Sequence, residues 1–326
     1  MLSSNHPSKH APAEETLCIW IFHDGRPGHL SQLEGLANRI SSKRACEVHW
    51  LDVSRYRISL LSLCKLKDML KHRSKPDLIL GAGHRTHWSV FFAGTLLDRF
   101  TCLVMKPSLP TRFFKAIICP KHDNLPDSEH VFTTEGPINK INPNVAVKPT
   151  SDRQLHLMLI GGESKHFMFD GDDILRQIKL LCQAFPERNW LIFNSPRTPA
   201  DMTKALHQLS CENATFRNYK DKDSGKLSEL LLETRSCWIT PDSMSMIFEA
   251  LSAKATVGLF NCSPASTRKQ TRVSKQVQIL LNNQTVLSFN DRLQVDQFNS
   301  KTLEWQADEA ASWLLNAYSA WQKGQH

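Results

Sequence analysis

The sequence predicts an α/β protein with two Rossmann-like domains facing a cleft. Three observations carry that prediction. Strand-sized apolar runs alternate with longer segments of helical period. The alternation stops over the stretch Gly136–Arg153, which holds Pro137, Pro143 and Pro149, and then restarts. The length, 326 residues, suits two domains of ordinary size. Alternating βαβ units imply parallel sheets covered by helices. In such sheets ligands bind beyond the carboxyl ends of the strands. The loops that follow strands are therefore where function is sought.

In the first half the strand candidates are Cys18–His23, Glu47–Leu51, Asp77–Gly81, Thr101–Met105, Ala116–Cys119 and His130–Thr133. Leu33, Leu36, Ala37 and Ile40 share one helical face. Leu60–Leu70 and Trp88–Leu97 also read as helices. In the second half the strands are Leu155–Ile160, Trp190–Phe193, Ala214–Arg217, Cys237–Thr240 and Thr256–Phe260. Helices are expected over Asp172–Phe185, Ala200–Leu209, Leu227–Leu232 and Ser243–Ser252. A last helix near Glu304–Trp321 follows an irregular stretch. Its Trp305, Trp313 and Trp321, spaced eight apart, fit one packed helix face. The expected organisation is a disordered tail over 1–16, domains over 17–140 and 141–300, and a C-terminal helix over 301–326.

Composition bounds the function. With 41% hydrophobic and 22% charged residues, the chain is neither wholly disordered nor collagen-like nor a small disulfide scaffold. No apolar run reaches the ~18 residues that span a bilayer. The net charge of +8 favours an anionic partner: a phosphorylated substrate, a membrane surface or a nucleic acid. No nucleic-acid motif accompanies the charge. The basic run Arg268–Arg272 lacks interleaved aromatics and reads as a solvated loop. Nine cysteines without C-x-x-C spacing favour a reducing, cytoplasmic compartment over disulfides or a zinc site. The first seventeen residues carry neither a secretory nor a transit pattern.

Five loops could carry chemistry. After the first strand comes Asp24-Gly25-Arg26-Pro27-Gly28-His29. Asp24 and His29 are candidate proton acceptors. Gly25 and Gly28 let backbone approach a ligand, and a following helix start can hold an anion. Ser31 and Glu34 read as a capping box that opens this helix. A Gly-rich turn with a satisfied histidine is the bland alternative. After the third strand, Gly81-Ala82-Gly83-His84-Arg85 offers Gly83 and an Arg85 guanidinium suited to phosphate or carboxylate. It equally suits a solvated tight turn.

In the second half, Gly161, Gly162, Ser164 and Lys165 suit a diphosphate cradle, or merely a flexible loop. After the next strand, Thr198, Pro199 and Asp201 read as N-cap, N1 and N3 of a helix, leaving Ser195 and Arg197 spare. In Thr240–Ala250, Asp242 can cap a helix whose first turn holds Ser243 and Ser245. Glu249, one turn on, can accept the two hydroxyls of a ribose. The alternative is a capped amphipathic helix with an incidental Glu. Asp170–Asp173 reads as helix capping rather than a metal motif. No metal site is expected.

Taken together, D-G-R-P-G-H, G-A-G-x-R-T, I-G-G-x-S and T-x-D-S-x-S-M-x-x-E-A resemble the mitochondrial-fission protein family of plants and its bacterial members. The resemblance spans roughly residues 17–325. That family is similar in architecture to GT-B glycosyltransferases. It implies donor binding by Gly162, Ser164, Ser243, Ser245 and Glu249, with acceptor-side chemistry at Asp24 and His29. It implies no cofactor, only a nucleotide-sugar co-substrate. It also implies a last helix that crosses back to the first domain. The GT-B pattern carries Gly and Pro where this chain has Lys254 and Thr256, and small or polar residues where it has Phe248. Family members are also labelled nucleoside-diphosphate-sugar epimerases, but no Y-x-x-x-K pair is present.

The reading that follows is a metal-independent GT-B-like glycosyltransferase with an envelope-glycan or lipid-linked acceptor. It would close about the linker near Asn139–Val147 and sit at the inner face of an anionic membrane. The alternative is a non-catalytic, membrane-associated interaction protein that keeps the fold.

Overall fold

A computed structural model describes residues 16–54, 74–126, 128–145, 148–221, 227–266, 270–298 and 306–325. It contains two six-stranded sheets, and every strand pair in them is parallel. The first holds β1 (Leu17–His23), β2 (Cys46–Asp52), β3 (Leu78–Ala82), β4 (Phe100–Val104), β5 (Ala116–Pro120) and β6 (Val131–Thr134), in the order β2-β1-β3-β4-β5-β6. The second holds β7 (Leu155–Leu159), β8 (Trp190–Phe193), β9 (Ala214–Arg217), β10 (Thr234–Ile239), β11 (Thr256–Leu259) and β12 (Leu287–Ser288), in the order β12-β11-β10-β7-β8-β9. These are two Rossmann-like domains.

Helices cover both faces of each sheet, which is why β3, β4, β5 and β8 are buried at every position. On one face of the first sheet lie α1 (Pro27–Lys43) and the last helix, α8 (Gln306–Lys323). The other face carries α2 (His87–Leu97). The second sheet packs α3 (Gly171–Ala184) and α4 (Ala200–His207) on one face. Its other face packs α5 (Leu227–Glu233), α6 (Met244–Ser252) and α7 (Arg272–Asn282).

The chain thus ends against its first lobe. Trp313 packs on Phe132 and Trp321 on Phe100, at ring separations of 5.5 and 5.6 Å. Asp308 accepts from Arg39 Nε at 2.7 Å and Lys43 Nζ at 3.0 Å. Trp305, the Leu60–Leu70 segment, Ala146, Val147, Arg268 and Lys269 lie outside the described residues.

Several local expectations change. α1 begins at Pro27, not beyond Ser31, because proline at N1 needs no amide partner and presets the helical φ. The capping box therefore does not form. Ser31 lies in the second turn, and Glu34 pairs with Lys140 at 3.2 Å. α4 is capped at Pro199, so Thr198 falls outside the helix. Asp170 does cap α3, accepting from the Asp173 amide at 3.0 Å. α7 occupies part of the stretch read as irregular. Thr271 caps it, and Arg272, read as loop, is its first residue and pairs with Asp123 of the other lobe at 3.2 Å.

Candidate functional site between the two switch points

In an open parallel sheet the crevice lies where successive connections leave in opposite directions. In the first sheet β2 lies on one side of β1 and β3 on the other. In the second, β7 has β8 on one side and β10 on the other. The four loops after β1, β3, β7 and β10 are the ones with the strongest candidate residues.

In the first lobe, His29 Nδ1 lies 2.9 Å from Asp24 Oδ1. A carboxylate only accepts, so Nδ1 carries the hydrogen and Nε2 is left as the proton-accepting nitrogen. Asp24 is buried and also accepts from the Arg26 amide at 3.3 Å. The loop after β3 closes over this pair. A Cβ at Gly83, whose φ is +88°, would overlap the His29 ring and lie 2.9 Å from Asp24 Oδ2. Arg85 points elsewhere: it is exposed and donates to the Ser54 carbonyl at 3.4 Å.

His87, the first residue of α2, was not among the expected site residues. Ser108 donates its amide to His87 Nδ1 at 3.0 Å, so the hydrogen resides on Nε2. That N–H is buried without a partner among the described residues. Burial, aided by His84 and His29, pushes the His87 pKa down to about 4.

The second lobe is organised around Asp242. Its Oδ2 accepts from the Gly162 amide at 3.2 Å and pairs with Arg197 Nη1 at 2.7 Å. Its Oδ1 is buried and unpartnered. Asp242 thus does not cap α6: the N-cap is Ser243, without a side-chain bond. The paired glycines have a packing reason. A Cβ at Gly161 would overlap the Asp242 carboxylate, and one at Gly162 the Arg197 backbone. The Gly161 amide donates to Thr240 Oγ1 at 2.7 Å. Thr198 ties the β8 loop to this cluster, donating to the Ile160 carbonyl at 3.0 Å and accepting from the Ser195 amide at 2.9 Å. Ser164 Oγ accepts from the His166 and Phe167 amides, each at 3.1 Å. Ser195 Oγ accepts from the Arg197 amide at 3.2 Å, and Lys165 is exposed.

The two clusters meet along α1 and α6. A Cβ at Gly28 would sit 2.9 Å from Ser245 Oγ. About one turn further along, Ser31 Oγ donates to Glu249 Oε1 at 2.6 Å. Beyond that, Asn139 Nδ2 donates to the Phe248 carbonyl at 3.2 Å and reaches Ser252 Oγ at 3.0 Å. First turn lies against first turn and second against second, so the helices run in the same sense with their N-termini together. Burial pushes the Glu249 pKa up, while the Ser31 bond and Lys140 oppose the rise. Phe248, unusual beside that Glu, fits because its ring packs against Gly136, where a Cβ would overlap it.

Helix capping differs along the chain, and α4 too starts without a side-chain cap. α3 and α7 start with side-chain caps from Asp170 and Thr271. α1, α2 and α6, which start at the switch-point loops, have none. Their dipole ends are suited to an anion, although in α1 Pro27 has no N–H and the His29 and Leu30 amides already donate to the Arg26 carbonyl. Among the described residues one other group, Cys18, Glu47 and His49, has metal-ligand chemistry. It lies at the opposite, N-terminal ends of β1 and β2 and takes no part in the cleft.

Comparison with solved structures places this architecture. A Listeria monocytogenes protein assigned as a UDP-N-acetylglucosamine 2-epimerase superposes with a TM-score of 0.65 at 10% identity, covering 95% of this chain and 98% of that one. The Methanocaldococcus jannaschii UDP-GlcNAc 2-epimerase, solved with UDP-GlcNAc and UDP, gives 0.56 at 12% identity over 92% and 99% of the two chains. Anabaena HepE, solved with UDP and glucose, gives 0.50 at 13% over 95% and 99%. These likenesses show the fold, the GT-B arrangement. In sequence, the uncharacterized protein RP120 of Rickettsia prowazekii is 22% identical over 293 residues, 74% of this chain and 82% of that protein. The profile of the mitochondrial fission ELM1 family matches residues 27–318, a span that starts at α1, just after Asp24, and takes in the second switch point and the seam. The chain belongs to the mitochondrial fission ELM1 family.

Proposed function

We propose that the interlobe cleft binds a nucleoside-diphosphate sugar and transfers its sugar to an acceptor hydroxyl. The observation that carries this reading is the pair of uncapped helix starts, α1 and α6, lying together at one end of the seam. Two positive dipole ends side by side repel, and an anion between them relieves that repulsion. Each end contributes roughly 0.3–1 kcal/mol, and up to ~2 kcal/mol where partly buried. A diphosphate supplies the anion. Asp242 Oδ1 is an unfilled acceptor for a donor hydroxyl, and Glu249 is the acceptor for the ribose. UDP-bound structures of the same fold support the ligand class.

The chemistry assigned to the first lobe is proton removal. The acceptor hydroxyl loses its proton to His29 Nε2 as its oxygen bonds to the sugar's anomeric carbon. The anomeric bond to phosphate breaks, and the nucleoside diphosphate leaves with the bond's electron pair. Asp24 holds the imidazole in the accepting tautomer and stabilises it once protonated. The helix starts stabilise charge on the departing diphosphate.

A second reading, a non-catalytic interaction protein at a membrane, is favoured by one surface. α2 is apolar on all sides, with Leu96 51% exposed. Beside it Phe113 is 38% exposed under the Arg112 guanidinium. Among the described residues no helix is long and apolar enough to cross a membrane, so such contact would be peripheral. Co-sedimentation with anionic liposomes that weakens at high salt supports it, and absence of binding at both salts rejects it. Calorimetric titration of UDP and GDP tests the first reading. Binding that Glu249→Ala weakens supports it, and no binding at millimolar nucleotide rejects it in favour of the interaction protein.

A further inference from the structure

We infer that the Ser31 hydroxyl occupies, on Glu249, the place a donor's ribose hydroxyl would take, so that donor binding must exchange one hydroxyl for the other. The inference rests on the nucleotide-sugar reading and adds to it an internal competitor. Ser31 is 6% exposed and sits in the second turn of α1, where a serine does nothing for the helix. Its one described side-chain bond crosses to the other lobe: Oγ to Glu249 Oε1 at 2.6 Å. That is the geometry of an alcohol donating to a carboxylate.

The surrounding seam leaves no room for a sugar ring as well. Gly28 lets the first turns of α1 and α6 approach until a single Cβ would reach 2.9 Å from Ser245 Oγ. Gly35, two turns along α1 from Gly28, lets the linker backbone at Asn139 press closer still. Asn139 then holds α6 through the Phe248 carbonyl and Ser252. A nucleotide therefore reaches Glu249 only when α1 and α6 part. The closed seam is an autoinhibitory contact. It lowers the apparent donor affinity by the fraction of molecules that are open.

The test uses the full chain. UDP is titrated by calorimetry into the wild type, Ser31→Ala and Asn139→Ala, with thermal melts to establish folding. X-ray scattering without nucleotide reads the interlobe separation. Ser31→Ala removes the competing hydroxyl with a good helix former. Asn139→Ala loosens the same seam without touching Glu249. The expected result is about tenfold tighter UDP binding by Ser31→Ala, a smaller gain for Asn139→Ala, and a larger radius of gyration for both. If the wild type binds UDP and the folded variants bind it equally or more weakly, the exchange is overturned and the nucleotide reading stands. If folded wild type and variants all fail to bind UDP at millimolar concentration, the nucleotide reading falls and the exchange with it. If Ser31→Ala does not fold, Asn139→Ala decides by the same criteria.

Discussion

The two lobes share one architecture and fill it differently. Each is a six-stranded parallel sheet whose switch point opens toward the other. At the first switch point the polar groups form a base: His29 is held by Asp24, and Gly83 closes over the pair. At the second, the polar groups largely satisfy one another. Asp242 binds the Gly162 amide and Arg197, Thr240 binds the Gly161 amide, and Thr198 ties the β7 and β8 loops together. In the proposed reading the first lobe moves a proton, while most of the second lobe's polar groups hold a shape. What the second keeps open is one carboxylate oxygen and the start of α6. The difference teaches that the glycines of the two lobes are not equivalent. Gly83 makes room for the Asp24–His29 pair, whereas Gly161 and Gly162 make room for the lobe's own scaffold.

The comparison is broken most sharply by Asp24→Asn. Losing the group that fixes the His29 tautomer should lower sugar-transfer turnover by about 10³-fold. It should leave the UDP dissociation constant unchanged, as measured by steady-state kinetics beside calorimetry. An equal loss in binding would assign the dyad to the donor side.

Gly162→Ala probes the scaffold. Its Cβ would overlap the Arg197 backbone. The expected loss is about 2–3 kcal/mol of unfolding free energy in denaturant titration. A neutral effect would mean that the β8 loop yields freely.

Among the described residues each lobe also carries one buried neutral histidine. His87 and His156 are both pushed down to about 4, chiefly by burial, with His84 and His29 or Arg188 and Arg235 adding to it. The unfolded chain takes up these protons near pH 6.5, before the folded chain does. Stability is therefore full above about pH 6.5 and falls as pH drops toward about 4. The loss is roughly 2 kcal/mol per histidine. His87→Gln and His156→Gln should each flatten that slope in thermal melts between pH 7 and 4. Glu249, pushed up, works in the opposite sense. Its contribution to the seam is present at low pH and lost as pH rises through its raised value.

The smallest effect belongs to Lys254. It adopts φ 62°, the left-handed conformation a helix-ending glycine would take. The backbone of the GT-B pattern is thus kept without its glycine. Lys254→Gly should stabilise the second lobe by about 1 kcal/mol, read as a raised melting temperature. A lowered value would point to contacts made by the lysine itself.

Much of this arrangement is legible in the residues. Strands such as β8 and β9 are bounded in the sequence where the structure bounds them, because they are short apolar or alternating runs between turn signals. The switch-point loops stand out because glycines and polar groups follow strands at once. Other features are not legible, for physical reasons. Ser31 and Glu249 are 218 positions apart, and nothing local distinguishes a seam serine from a capping one. β12 is two residues long, too short for any period. α7 does have a signal in Val273, Val277, Leu280 and Leu281, masked by the basic and polar residues at its start. The internal use of the Gly161 and Gly162 amides depends on Asp242 and Thr240, some 80 residues away.

We propose that the start of α6 holds a diphosphate while the first lobe's dyad faces the acceptor. Amide hydrogen exchange with and without UDP tests it most directly. Protection is expected to concentrate in residues 242–249, at the start of α6, with α1 beyond Ser31 exchanging faster as the seam opens. Protection confined to the 24–29 loop, or no change in either lobe at saturating nucleotide, would contradict it.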